Sequence, residues 1–257
     1  MSNLLKTDFY RLFRSKSFYI CGFIAFALFD LGLILIYLLS NMAAVNGAEI
    51  SVAKSGIEFG LNAFPDMDSQ IILSIIIGIF ITSEFSHGTM KNVVSKGFSR
   101  IQIYFSKLIT MIAATYMIIL VTFLTGTIGA SIITGKIGDF SSNSIAKYAR
   151  TIGIELLLYA ALTALLVAVG MLIRNLGGVI AINIVGIIIF IPIILNILQA
   201  ISNDKIKFMD FTLMSNMSLY VVNAEPAAYL RTFIVALAYF AVPTALGVFA
   251  FVKADVK

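Results

Sequence analysis

The stretch "SEFSHGTMKNVVSKGFSRIQIYFSK", residues 83–107, separates "IILSIIIGIFIT" (71–82) from "LITMIAATYMIILVTFL" (108–124). It carries Glu84, the only histidine of the chain (His87), Lys91, Lys96, Lys107 and Arg100. So much charge between two apolar runs returns the chain to water, and the runs on either side become separate membrane crossings. The stretch also has its own helix stops. Gly88 breaks the incoming helix, Thr89 is a suitable N-cap, and "MKNVVS" forms a turn or two with Met90, Val93 and Val94 exposed on one side. Lys96 and Gly97 end that turn, Gly97 as the left-handed C-terminal residue. Ser99 and Gln102 then form the S-x-x-Q capping box that starts the next helix. A short helix near 89–96, clipped between two spans, is the expectation.

Composition supports the same frame. With 60% hydrophobic residues, 12% charged and a mean hydropathy of +1.01, the chain is too apolar for the core of a soluble domain. A hydrocarbon layer about 30 Å thick takes roughly 20 helical residues. Runs near that length lie at 18–39, 70–85, 103–133, 150–173, 176–198 and 229–252. The fold class expected is therefore all-α: one polytopic transmembrane domain over 1–257 with six spans. The second run is short and borrows Ser69, Ser83 and Phe85; the third is long, so its first turns lie in the interface. No signal-peptide cleavage pattern follows the first run. The single Cys21 allows no disulfide within the chain and no multi-cysteine metal site, and one histidine excludes an HExxH metalloprotease. The net charge of +5 is spread over short flanks and not gathered in a stripe, so membrane orientation explains it and nucleic acid does not.

With the N-terminus inside, the inner segments hold Lys6, Arg11, Arg14, Lys16, Lys91, Lys96, Arg100, Lys107, Arg174, Lys253 and Lys257 against Asp8, Glu84 and Asp255. The outer segments hold Lys54, Lys136, Lys147, Arg150, Lys205, Lys207 and Arg231 against Glu49, Glu58, Asp66, Asp68, Asp139, Asp204, Asp210 and Glu225. The excess of Lys and Arg places both termini in the cytoplasm, although the link between spans three and four runs against the rule.

Residues 2–16 carry Leu5, Phe9, Leu12 and Phe13 on one helical face and read as a helix lying in the cytoplasmic interface. In span four, Ala160, Ala164 and Ala168 share a face that permits close packing. Charged and amide side chains inside spans are functional candidates by default. Asp30, mid-span, has either a pathway or interhelical role or a structural one. Glu155 reads as snorkelling or paired near the surface; Asn183, with Asn196 and Pro192, reads as kink and interhelical hydrogen bonding ahead of substrate contact. The segment 201–230, rich in Phe, Met and Leu, is either a broken amphipathic helix on the outer surface or a tether, and "NMS" at Asn216 is a formal sequon. "GASIITGKIGD" fails as a phosphate loop, because Gly129 and Gly135 have the wrong separation and Ile137 stands where a Mg²⁺-binding Ser or Thr belongs. No internal repeat is visible, and paired catalytic acids at helical spacing are missing, which disfavours an intramembrane enzyme.

Residues 84–109 resemble the E-x-x-x-G-T-x-(K/R) … S-R-x-x-(I/Y)-x-x-(S/A)-K segment of ABC-2 type permeases. The likeness is strongest to small bacterial exporters such as bacitracin and lantibiotic transport or immunity subunits. The resemblance implies a coupling helix that meets a separate ATPase subunit, with Glu84, His87, Gly88, Thr89, Met90, Lys91, Val93, Val94, Gly97 and Arg100 as interface residues. It further implies no cofactor on this chain, ATP and Mg²⁺ in the partner, a second permease chain, and a bacterial plasma-membrane location. The cargo it implies is an amphipathic substrate such as an antimicrobial peptide. A membrane receptor or immunity factor that does no transport is the reading from another class.

Overall fold

The computed structural model describes residues 1–45, 55–202, 207–222 and 226–253. Glu49, Lys54, Asp204, Lys205, Glu225, Asp255 and Lys257 from the charge count, and parts of the 201–230 segment, lie outside the described residues. All regular structure among the described residues is helical: α1 (Ser2–Arg14), α2 (Lys16–Val45), α3 (Gly56–Leu61), α4 (Met67–Ser86), α5 (Thr89–Ser95), α6 (Arg100–Thr134), α7 (Ser142–Ile173), α8 (Leu176–Ile180), α9 (Ile191–Ile201), α10 (Leu213–Val222) and α11 (Pro226–Lys253). A π-helical stretch, Ala181–Phe190, joins α8 to α9 just ahead of Pro192, which has no N–H to give to a regular ladder.

Among the described residues, six helices are long and apolar enough to cross a membrane, at 16–40, 67–86, 100–134, 142–173, 176–201 and 228–253. They match the six expected runs, each extended by up to eight residues where polar caps prolong the apolar stretch. Asp66 accepts from the Ser69 N–H at 2.9 Å to start α4, and Ser141 caps α7. The spans are not equivalent. In α4 and α7, 67% of the spanning window is buried, against 17% in the first and fifth spans and 22% in α11. Two central helices are therefore wrapped by others whose apolar faces look outward, as a lipid solvent allows.

Chain direction sorts the connections into two ends. α5, α1, the α7–α8 corner and the end of α11 gather at one; α3, residues 135–141 and α10 gather at the other. At that second end α3 lies tight on α6. Gly56 N–H donates to the Lys136 carbonyl (2.9 Å) and Ile57 N–H to that of Ile137 (2.8 Å). A Cβ at Gly60 would stand 2.9 Å from the Phe123 carbonyl oxygen. α10 follows neither reading of this segment, the outer-surface helix or the tether. It tucks against α7 and α11 with Leu213, Asn216 and Met217 buried. The Asn216 amide donates to the Asp210 and Thr212 carbonyls (2.8 and 2.7 Å) and accepts from the Thr232 hydroxyl (2.6 Å), while Asp210 pairs with Arg231. The sequon asparagine is thus sealed inside.

The glycine contacts give a test. Gly60→Ala forces a methyl into backbone and should lose about 1–3 kcal/mol by overpacking. Gly153→Ala, with nothing within 4 Å of its new Cβ, should gain up to about 1 kcal/mol in helix propensity. Thermal unfolding of the two variants in lipid nanodiscs checks this, and the opposite order would refute the α3–α6 contact.

Candidate coupling site

The polar island is built by backbone geometry. α4 ends at Ser86, His87 is its C-cap, and the His87 Nδ1–H donates to the Ser83 carbonyl (2.6 Å). Gly88 then takes a left-handed conformation, φ +65°, which a side chain would strain, and it is Gly88, not Thr89, that stands at the N-cap of α5. Thr89 is the first helical residue, and its hydroxyl donates back to the Glu84 carbonyl (3.3 Å). Gly97, at φ +85°, closes α5, and Ser99 opens α6 through the reciprocal Ser99–Gln102 capping box.

The side chains depart from expectation. Met90 is 1% exposed and belongs to the main core, and Val93 and Val94 are half-buried against that core. The apolar side of α5 therefore faces inward, because this chain's own core competes for it. What α5 presents outward is Lys91, Asn92, Ser95 and Lys96. Arg100 is also corrected: its guanidinium donates to the Phe251 and Val252 carbonyls at 3.1 and 2.9 Å, capping the C-terminal end of α11. Glu84 is no surface residue either. At 4% exposure it points into the protein.

Beneath α5 lies a cluster that sequence reading missed. Lys107 from α6, 1% exposed, pairs with both Asp8 of α1 and Glu84 of α4. Arg11 of α1 pairs with Glu84, donates to the Phe80 carbonyl at 2.7 Å, and stacks 4.0 Å from the Phe80 ring centroid. The Ser106 hydroxyl donates to the other Asp8 oxygen at 2.5 Å. Two carboxylates meet two cations, so the cluster is formally neutral. Burial pushes the Arg11 guanidinium down from its ordinary value and Asp8 opposes the shift, but an arginine starts so high that it stays charged. A signal existed: Asp8 is the lone acid of a basic helix and lies at i+4 between Leu4 and Leu12. Those three form the buried face of α1, in place of the predicted Leu5, Phe9, Leu12 and Phe13 face.

The intramembrane candidates do not converge. Asp30 on α2 lies beside Thr125 of α6, whose hydroxyl donates to the Thr122 carbonyl (3.1 Å), and the Asp30 Oδ1 has no partner. Glu155 is fully buried with neither oxygen bonded, so it neither snorkels nor pairs with Arg150, which donates to the Ala146 carbonyl. Asn183 is fully buried in the π-helical stretch with its amide unpaired, which corrects the expectation of an interhelical hydrogen bond. Among the described residues no hydrogen bond links the three, and no group of three His, Cys, Asp or Glu side chains could hold a metal.

Six spans, a helix lying along one end and a second short helix clipped between spans two and three define a multi-pass membrane protein. Residues 4–192 match the ABC-2 family transporter protein model, and the chain belongs to that family, whose members are the membrane components of ABC transporters. A search of curated proteins finds no significant match.

The ion cluster makes its own prediction. Lys107→Met strands two buried carboxylates with Arg11 alone and should cost about 3–5 kcal/mol. Combining it with Asp8→Asn, which leaves Arg11 paired with Glu84 and the cluster neutral, should restore most of the loss. Unfolding midpoints of the single and double variants decide, and a double variant no better than the single one would contradict the charge-balance account.

Proposed function

We propose that this chain is the membrane subunit of an ATP-driven exporter whose ATPase subunit grips the outward face of α5. The observation that carries the reading is α5 itself. A seven-residue helix is fixed by left-handed glycines at both ends, seated by Met90 in the core, and based on the ion cluster, with a polar, basic face left outward. Such a helix cannot swing on its own, so a push on it moves α4 and α6. Two permease chains and two ATPase subunits form the working unit, and the outward apolar faces of α2 and α9 leave room for a second chain. ATP and Mg²⁺ bind to the ATPase subunits. The substrate is amphipathic, such as an antimicrobial peptide, in keeping with the resemblance to bacitracin and lantibiotic permeases.

The docking face is now Lys91, Asn92, Ser95 and Lys96, with Met90 and Val93 as its support. Reversing Lys91 and Lys96 to Glu should lower recovery of the ATPase subunit more than tenfold, since like charges facing each other across an interface cost several kcal/mol. Pull-down at matched membrane expression measures it, and recovery equal to wild type would end the assignment.

This reading places α5 and both termini in the cytoplasm of a bacterial cell, supported by the Lys and Arg excess. In a Cys21→Ser background, Ser95→Cys in intact cells should stay unlabelled by a membrane-impermeant thiol reagent, while Phe140→Cys, exposed between α6 and α7, should label. The reverse pattern would invert the topology.

A further inference from the structure

Between α6 and the last turns of α11, at the end of the molecule that carries α5, runs an open groove of about 780 Å³. Phe105, Phe240, Ala245, Val248 and Phe249 line it, and Lys253 closes its end. The lining is almost wholly hydrocarbon, yet the end is cationic. Lys253 Nζ stands 4.1 Å from the Phe249 ring centroid, and Arg100 sits on the same helix end through its bonds to the Phe251 and Val252 carbonyls. From Phe240 to Lys253 the groove follows α11 for about 20 Å at 1.5 Å per residue. That is half of a hydrocarbon core about 30 Å thick, plus the depth of the glycerol region.

Length, lining and charge describe one kind of occupant. We propose that this groove binds an anionic phospholipid, with an acyl chain along Phe105, Val248 and Phe249 and the headgroup phosphate at Lys253. The aromatic rings supply flat apolar contact for the chain, and Lys253, held over Phe249, directs its ammonium to the depth where phosphates lie. The cation–π contact leaves ammonium hydrogens for a phosphate, because Lys253 is exposed and bears three donors. A second permease chain would instead meet a lysine and an arginine at an apolar contact, where charge is unfavourable. The site depends neither on the ATPase assignment nor on the membrane orientation, since it requires only a bilayer and the residues named.

The test uses the full chain, with any co-purifying ATPase subunit, in phosphatidylcholine nanodiscs containing a trace of phosphatidylglycerol with a diazirine in its acyl chain. Photolabel mapped by mass spectrometry should concentrate on residues 240–253 and near Phe105, and unlabelled phosphatidylglycerol should compete better than phosphatidylcholine. Lys253→Gln should lower that preference about fivefold, the size expected for loss of one juxtamembrane cation. Ala245→Phe, at an exposed position, should fill the groove and remove the label without shifting the unfolding midpoint. Equal competition by the two lipids, label spread evenly over all six spans, or cross-links joining α11 to a second copy of the chain would each overturn the proposal. Since Lys253→Gln touches no buried contact, it decides the headgroup claim even where Ala245→Phe perturbs the fold.

Discussion

Lys107 is the constraint on which the permease depends. An ammonium that is 1% exposed is expensive unless it is paired, and here it is held by Asp8 and Glu84, with Arg11 balancing the second carboxylate. α1 is far in sequence from α4 and α6, and the other polar bonds that tie it to them, from Arg11 to the Phe80 carbonyl and from Ser106 to Asp8, gather around the same cluster. A buried ion cluster is weak evidence for stability, because an apolar core of equal volume often does as well. It is better evidence for register. Sliding α1 by one turn along α6 would strand at least one charge, whereas an apolar contact would tolerate the slide.

That register explains the inward turn of α5. Glu84 is fixed near the end of α4, so the chain after Ser86 must begin beside the cluster, and the left-handed Gly88 sends it back over the core. Met90 then reaches apolar surroundings that are already formed. An isolated amphipathic turn would have presented Met90, Val93 and Val94 outward. The completed bundle claims them first, and the polar side becomes the outer face. Arg100 is diverted by the same competition, since the unpaired carbonyls at the end of α11 lie within its reach.

The parts of the fold that were legible in the sequence are those set by near neighbours. Span positions follow from runs of apolar residues; Gly97 and the Ser99–Gln102 box follow from three- and four-residue patterns, and the structure reproduces them. Pairings across 99 and 23 residues, Asp8 with Lys107 and Glu84 with Lys107, have no local signature beyond an acid among basic residues. Glu155 was open to reading from periodicity. Thr151, Glu155, Tyr159 and Thr163 recur every four residues and all lie on the buried face of α7. α10 was hidden for another reason, because its burial is organised by Asn216 bonding to Asp210 and Thr232, contacts that composition cannot show.

The same cluster determines how displacement would spread. Thr89 is tied to the Glu84 carbonyl and Met90 is locked in the core, so α5 moves with the end of α4 as one body. Glu84 hands that motion to Lys107, and Lys107 sits on a single uninterrupted helix of 35 residues. At 1.5 Å per residue α6 is about 50 Å long, longer than the bilayer core is thick. Its far end carries α3 through backbone-close contact at Gly60. A helix that crosses in one piece, tied to the ion cluster at one end and packed backbone-close against α3 at the other, joins the two ends of the bundle directly. Interfaces that interlock through backbone and buried charge have few intermediate positions, so the contacts at the two ends of α6 hold its register along both α1 and α3.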